Sequence, residues 1–193
     1  WYDSWHYNIL KYKYIKRKKN DYFTSGVNFL VKYYQTFGPN FNQNVYKVEE
    51  KIEFNLDGYN MIAIIDRIDI DRNDSNKMHI IDYKTTRKML SNKKMKKDMQ
   101  MGIYGIGLSS IFPDCNEMIL SHYYVAENKF VSINLFDIDT EEFSNALVEN
   151  IKIIEKTEAD AAYAPHESNL CNWCYYWKEC PAKNGSIPLE YLK

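Results

Sequence analysis

Two stretches set the architecture of this chain: Ala63-Ile64-Ile65-Asp66-Arg67-Ile68-Asp69 and Ile80-Ile81-Asp82-Tyr83-Lys84-Thr85-Thr86. Each is a short run rich in β-branched residues, and the pair is separated by the polar residues 72–77, so both read as strands. Side chains two apart on a strand point to one face, which puts Asp82 and Lys84 on the same side. The turn at 72–77 can return the chain so that Asp66 lies beside Asp82. Upstream, residues 45–55 alternate in strand fashion and stop at Asp57-Gly58, a hairpin signal. That strand carries Glu50. Three acids and a lysine can thus meet at one point on an antiparallel meander of strands 45–55, 59–71 and 78–84.

Working outward, residues 7–19 read as a helix with a basic second half. Residues 21–37 read as another, with Phe23, Val27, Leu30, Val31 and Tyr34 at helical spacing, ended by Gly38-Pro39-Asn40. Residues 87–97 form a basic connector. A helix over 98–111 follows, and Gly102, Gly105 and Gly107 predict close packing against the sheet. Strands at 117–125 and 129–135 flank a turn at Glu127-Asn128. Asp139 or Thr140 caps a helix over 141–156, with Phe143, Leu147, Ile151 and Ile154 on one face. This order predicts an α/β sandwich around a mixed sheet. Three parts are expected: an N-terminal helical segment, 1–44; a core, 45–160; and a cysteine-rich tail, 161–193.

The 193 residues are 45% hydrophobic and 26% charged, with a formal net charge of −1, the balance of one ordinary globular domain. No apolar run is long enough for a membrane helix. Residues 1–10 lack signal-peptide form, so an intracellular compartment, such as the cytoplasm, is expected. The charge is unevenly spread. Six of the nine residues 11–19 and six of the eleven residues 87–97 are Lys or Arg. Such patches read as solvated surface or as phosphate-tracking surface, with carboxylates elsewhere free to hold metal.

Phosphodiester cleavage needs the set gathered on the meander. Mg²⁺ takes oxygen ligands and keeps several waters, so two or three carboxylates make an open cradle. The ion polarises the phosphate and lowers the pKa of a water. A lysine beside it orients that water and offsets developing charge. By itself an Asp-x-Lys triplet is common at exposed strand ends, and Asp66-Arg67 with Asp69 also fits a set of surface ion pairs.

The wider string is more specific. Val48-Glu49-Glu50-Lys51-Ile52-Glu53-Phe54, the Asp66 and Asp82 strands, and Gln100 with Tyr104 one helical turn apart resemble the core of RecB-like nucleases of the PD-(D/E)XK superfamily. The resemblance spans residues 45–104. It implies a restriction-endonuclease-like core in which Asp66 and Asp82 hold a divalent cation, Mg²⁺ or Mn²⁺. It makes Glu50 a ligand or a support, Lys84 the catalytic lysine, and Gln100 and Tyr104 cleft residues. Most relatives have Gly where this chain has Ala63 or Ile64. Many relatives also place a metal-binding His on an early helix after a Gly, and Ser25-Gly26-Val27-Asn28 carries none. His6, the only early histidine, reads as an exposed helix residue. The count of catalytic metals therefore stays open. Arg87, Lys88, Lys93, Lys94, Lys96 and Lys97 fall between the catalytic strand and the Gln100 helix, where they can guide DNA phosphates.

The tail holds Cys171-x2-Cys174-x5-Cys180. Three thiols amid aromatics, with no signal peptide, point to metal rather than to disulfides. The spacing resembles the C-terminal end of RecB-like nucleases carrying a [4Fe–4S] cluster, whose fourth cysteine comes from upstream. Zn²⁺ held by these three and His166 is the alternative. Cys115 reads as a half-buried free thiol. Trp173, Tyr175, Tyr176 and Trp177 read as packing around the cluster or as a base-stacking surface.

By resemblance, the expected activity is that of a DNA exonuclease acting on single strands or ends in repair, recombination or replication, alongside a helicase or other replication or repair protein. A catalytically silent DNA-binding module of a helicase–nuclease assembly, and a CRISPR-adaptation nuclease that trims captured fragments, share the same core motifs.

Overall fold

The computed structural model describes residues 19–41, 43–161, 163–168, 170–171, 174, 176 and 179–183. The helix expected at 7–19 lies outside them save for its last residue, and His6, Trp173, Tyr175 and Trp177 lie outside them entirely. Two compact units divide the chain. The larger comprises residues 22–150; the smaller includes 151–161 and the described part of the tail.

The elements run α1 (Lys19–Phe37), β1 (Val45–Leu56), β2 (Tyr59–Ile70), β3 (Lys77–Lys84), α2 (Asn92–Met95), α3 (Met99–Ile111), β4 (Glu117–Tyr124), β5 (Lys129–Asn134) and α4 (Thr140–Ala159). One five-stranded sheet has the order β1-β2-β3-β4-β5. β3 and β4 are parallel and the other pairs antiparallel, so the mixed sheet flanked by helices is as the sequence implies. The β1–β2 turn places Asp57 at φ 51° and Gly58 at φ 89°, both left-handed, as a tight two-residue hairpin demands. The parallel β3–β4 step needs a crossover, and α2 and α3 supply it.

Helix α3 is the central support. Asp98 caps it, its side chain accepting the Met101 N–H at 3.1 Å. Its glycines admit neighbours that a Cβ would displace: Gly107 meets the Phe54 ring and the Ile52 tip, and Gly105 meets Leu135. The Gly107 contacts, with Phe54 and Ile52 of β1, bear out close packing on the sheet, whereas Leu135 lies in the turn after β5. Gly102 instead makes room for Phe143 of α4. Met101 and Leu108 are fully buried in the core with Ile65, Ile80 and Leu120.

Three expectations need correction. Helix α1 forms, but Val27, Leu30, Val31 and Tyr34 are exposed. Its packing side carries Tyr33 and Phe37, whose rings lie 5.7 and 5.6 Å from Tyr123. The reason is the sheet face beneath, which is aromatic and polar. The Tyr33 hydroxyl bonds that of Tyr83 at 3.1 Å and accepts from Arg67 at 3.2 Å, a match no aliphatic stripe offers. On α4, Ile154 is exposed, whereas Val148 is buried; Asp139 is the cap, accepting the Glu142 N–H at 2.9 Å. Lastly, Arg67 and Asp69 are not a surface pair. Arg67 is buried, with its Nε donating to Asp69 Oδ1 at 2.7 Å.

Two outcomes follow from this packing. Gly107→Val drives a branched side chain into Phe54 and Ile52, and should cost about 1–3 kcal/mol in urea unfolding with the fold retained by circular dichroism. His79 Nε2 lies 2.6 Å from Ser121 Oγ, and burial pushes its pKa below the usual 6.5. The unfolded chain then takes up this proton at higher pH than the folded chain. Stability should therefore be full above about pH 6.5 and decline as pH falls through the folded value. His79→Gln should flatten that slope in urea midpoints compared at successive pH values.

Candidate active site

Strict pleating would put Ile65 and Ile68 on opposite faces, yet both belong to the core under α3. The pleat of β2 therefore changes phase between them, at Asp66. Glu49 lies between the register pairs Val48↔Arg67 and Glu50↔Ile65, directly across from Asp66. Its φ is 49°, a left-handed value that absorbs the mismatch in β1. On the other side, the β2–β3 ladder reaches Arg67↔Ile81. One step further Asp66 and Asp82 face each other, and the Tyr83 N–H donates to Asp66 Oδ2 at 2.8 Å rather than to a strand carbonyl. The strands part here, and the two carboxylates occupy the opening.

Asp82 is 3% exposed, and Gln100 of α3 organises its surroundings. Gln100 Nε2 donates to Asp82 Oδ1 at 2.7 Å and to the Tyr104 hydroxyl at 2.8 Å. Gln100 Oε1 accepts from Lys84 Nζ at 2.7 Å. Tyr104 donates onward to the Ile64 carbonyl at 2.8 Å. Burial pushes the Tyr104 phenol up to about 12, and the charges of both Asp82 and Asp66 add to the rise. It stays protonated and remains a donor. The antiparallel register, continued one step past Arg67↔Ile81, sets Asp66 opposite Asp82, and Lys84 and Gln100 gather at Asp82.

Lys84 Nζ stands 2.7 Å from Asp82 Oδ2, a charge contact off the hydrogen-bond line. Asp82 Oδ2 and His122 Nε2 are accordingly buried atoms without a hydrogen-bond partner. His122 is 2% exposed and is the β4 register partner of Asp82. Burial, and then the Lys84 charge, lower its pKa. The sequence reading missed this residue, because pairing with Asp82 depends on a strand partner some forty positions away.

Glu50 is brought near, as the register partner of Ile65, but its carboxylate is bound to Lys47. Among the described residues, no three His, Cys, Asp or Glu side chains gather tightly enough to hold a metal by themselves. What the opening offers is two carboxylates from adjacent strands, one with a buried oxygen lacking a hydrogen bond. That hard-oxygen donor pair fits Mg²⁺ or Mn²⁺ with waters completing the shell.

The basic connector is partly tied down. Met95 is fully buried within it, which the sequence reading did not anticipate. Arg87 lies 3.8 Å from Glu127, and Lys96 3.4 Å from Asp137. Lys88, Lys93, Lys94 and Lys97 are exposed. In the tail, the Cys174 N–H donates to the Cys171 carbonyl at 3.1 Å. The Lys183 ammonium is bound to Glu167. The three tail thiols do not converge on one point. Cys115 is half-buried, with its Sγ donating to the Glu117 carbonyl at 3.3 Å.

Among the described residues, no helix is long and apolar enough to cross a membrane. A search of curated proteins finds no match. Among solved structures, the chain is similar to the crystal structure of SSO0001. The two are 18% identical with a TM-score of 0.43, over 94% of this chain and 77% of that one. The family model of the PD-(D/E)XK nuclease superfamily matches residues 4–181. That match takes in every strand of the sheet, both aspartates of the opening and the lysine beside them, and the chain belongs to the PD-(D/E)XK nuclease superfamily.

Proposed function

We propose that the chain is a metal-dependent deoxyribonuclease of the RecB-like kind, cutting phosphodiester bonds at DNA ends or in single strands. The observation that carries this reading is the buried Asp82 carboxylate, with one oxygen free of hydrogen bonds, facing Asp66 across parted strands. Asp66 and Asp82 would hold Mg²⁺ or Mn²⁺, which supplies Lewis-acid polarisation of the phosphate and a more acidic water. Gln100 fixes Asp82 Oδ1 and Lys84 Nζ together, so the acid and the ammonium keep a set spacing. Lys84 is the one cation of the network able to turn outward, its side chain being 29% exposed. There it orients the attacking water and offsets charge on the phosphate. Glu50 serves as a support from β1, paired with Lys47. Lys88, Lys93, Lys94 and Lys97, with Arg87 and Lys96 more constrained, steer the strand along the rim. Its proposed setting is DNA repair, recombination or replication, beside a helicase or another replication or repair protein.

A non-cutting, DNA-binding role is the rival, and Glu50 favours it: with that carboxylate on Lys47, two acids rather than three face the opening. End-labelled single- and double-stranded DNA, incubated with Mn²⁺ or with chelator, separates the two. Metal-dependent cleavage is expected, lost in Asp82→Ala and slowed by about 10²–10³-fold in Lys84→Ala, with DNA binding retained in both. Wild-type protein that binds DNA and never cuts it would establish the rival.

For the tail, we propose that Cys171, Cys174 and Cys180 ligate a [4Fe–4S] cluster that ties the tail down, with Zn²⁺ and His166 as the alternative. Protein purified without oxygen should show broad visible absorbance and bound iron, both lost in Cys174→Ser. Colourless protein with stoichiometric zinc would select the alternative.

A further inference from the structure

His122 has no part in the reading above, yet it is the most enclosed polar side chain beside the site. Its Nε2 lies 4.0 Å from Asp82 Oδ2 and 3.9 Å from Asp98 Oδ1. Its Nδ1 lies 3.4 Å from the Tyr124 hydroxyl, whose oxygen accepts the Leu90 N–H at 3.0 Å. The carboxylates beside Nε2 favour the tautomer with its proton there, and in that tautomer the Tyr124 hydroxyl donates to Nδ1. The neutral ring then carries its own N–H on Nε2, aimed between two carboxylates. A buried donor left without a partner is costly, so its place needs a reason.

We infer that His122 is a positioning residue for Asp82, resting on the assignment of Asp82 as a metal ligand. Gln100 holds Oδ1, while Oδ2 has only the ammonium of Lys84. When a cation takes the place of Lys84 beside Asp82, or Lys84 turns to a phosphate, Oδ2 loses that contact. The His122 N–H is the neutral donor left facing it, 4.0 Å away and close enough to join it by a small turn of the carboxylate. Gln100 from α3 and His122 from β4 then fix the two oxygens from separate elements, and the carboxylate keeps its aim on the cation while the lysine is engaged. Outer hydrogen bonds of this kind set the affinity of a metal site as well as its geometry. The Leu90 link also ties the basic connector to the same imidazole.

The test compares His122→Met with His122→Gln, which match in length and differ in carrying an N–H donor. Free Mn²⁺ is read by electron paramagnetic resonance during titration of the folded proteins without DNA, and folding is checked by circular dichroism. Loss of about 10–100-fold in Mn²⁺ affinity is expected for His122→Met, with His122→Gln within a few-fold of wild type. Equal binding by His122→Met and wild type, or equal loss in both variants, would overturn the positioning role. A wild-type protein that takes up no Mn²⁺ overturns the metal-site reading itself, and this inference with it. Should His122→Met not fold, His122→Gln is compared with His122→Asn, whose shorter amide falls short of Oδ2; indistinguishable affinities in that pair overturn the inference.

Discussion

A carboxylate almost sealed from water must be compensated, and the site is built around that requirement at Asp82. An unpaired charge at such depth is costly, and removing the partner of a buried ion pair costs about 3 kcal/mol or more. The chain answers with Lys84 two residues along the same strand and Gln100 from the helix above. Gln100 uses both ends of its amide, the oxygen on the ammonium and the nitrogen on the acid and on Tyr104. That single side chain links α3 to both charged groups of β3. The glycines that let α3 approach Phe54, Ile52 and Leu135 serve the same end, because a helix standing further off could not reach Asp82.

A second constraint works at right angles to the first. A regular strand cannot keep Ile65 in the core and also turn Asp66 to the face of Asp82, since neighbours alternate. The chain resolves the conflict with a phase change in β2 and a left-handed Glu49 opposite it in β1. A non-glycine residue held there costs on the order of 1–3 kcal/mol. The strain lies one strand from the acid it serves, and Glu49 itself is exposed and can adopt the angle without burying its side chain.

Much of this was legible in the sequence because it depends on local rules. Parity along one strand places Asp82 with Lys84. The turn at Asp57-Gly58 marks a hairpin, and helical spacing pairs Gln100 with Tyr104. What stayed hidden depends on partners. His122 sits among Ser121, Tyr123 and Tyr124 in a run that reads only as strand; its meaning comes from the parallel register with Asp82, which α2 and α3 set. The stripe of α1 misled because periodicity counts apolar residues, whereas the surface below rewards the hydroxyl and rings of Tyr33 and Phe37. Ile154 misled in the same way, since spacing shows which residues share a face and not where the cover ends. Met95 is buried inside a basic stretch whose charge masks this apolar anchor.

The lysine and the cation proposed for this site are electrostatic substitutes for each other. Without a divalent ion, Lys84 is the positive charge that Asp82 sees, at 2.7 Å. An ion held by Asp66 and Asp82 would supply that charge and relieve the repulsion between two facing carboxylates. The ammonium would then be freed from Asp82 while Gln100 still tethered it at the edge of the opening. On this proposal metal binding and lysine availability would be one event. It also explains why both charges hang from one glutamine. A separate tether for each would let the lysine drift when its carboxylate was taken, whereas the shared amide keeps it within reach of whatever next sits above Asp82.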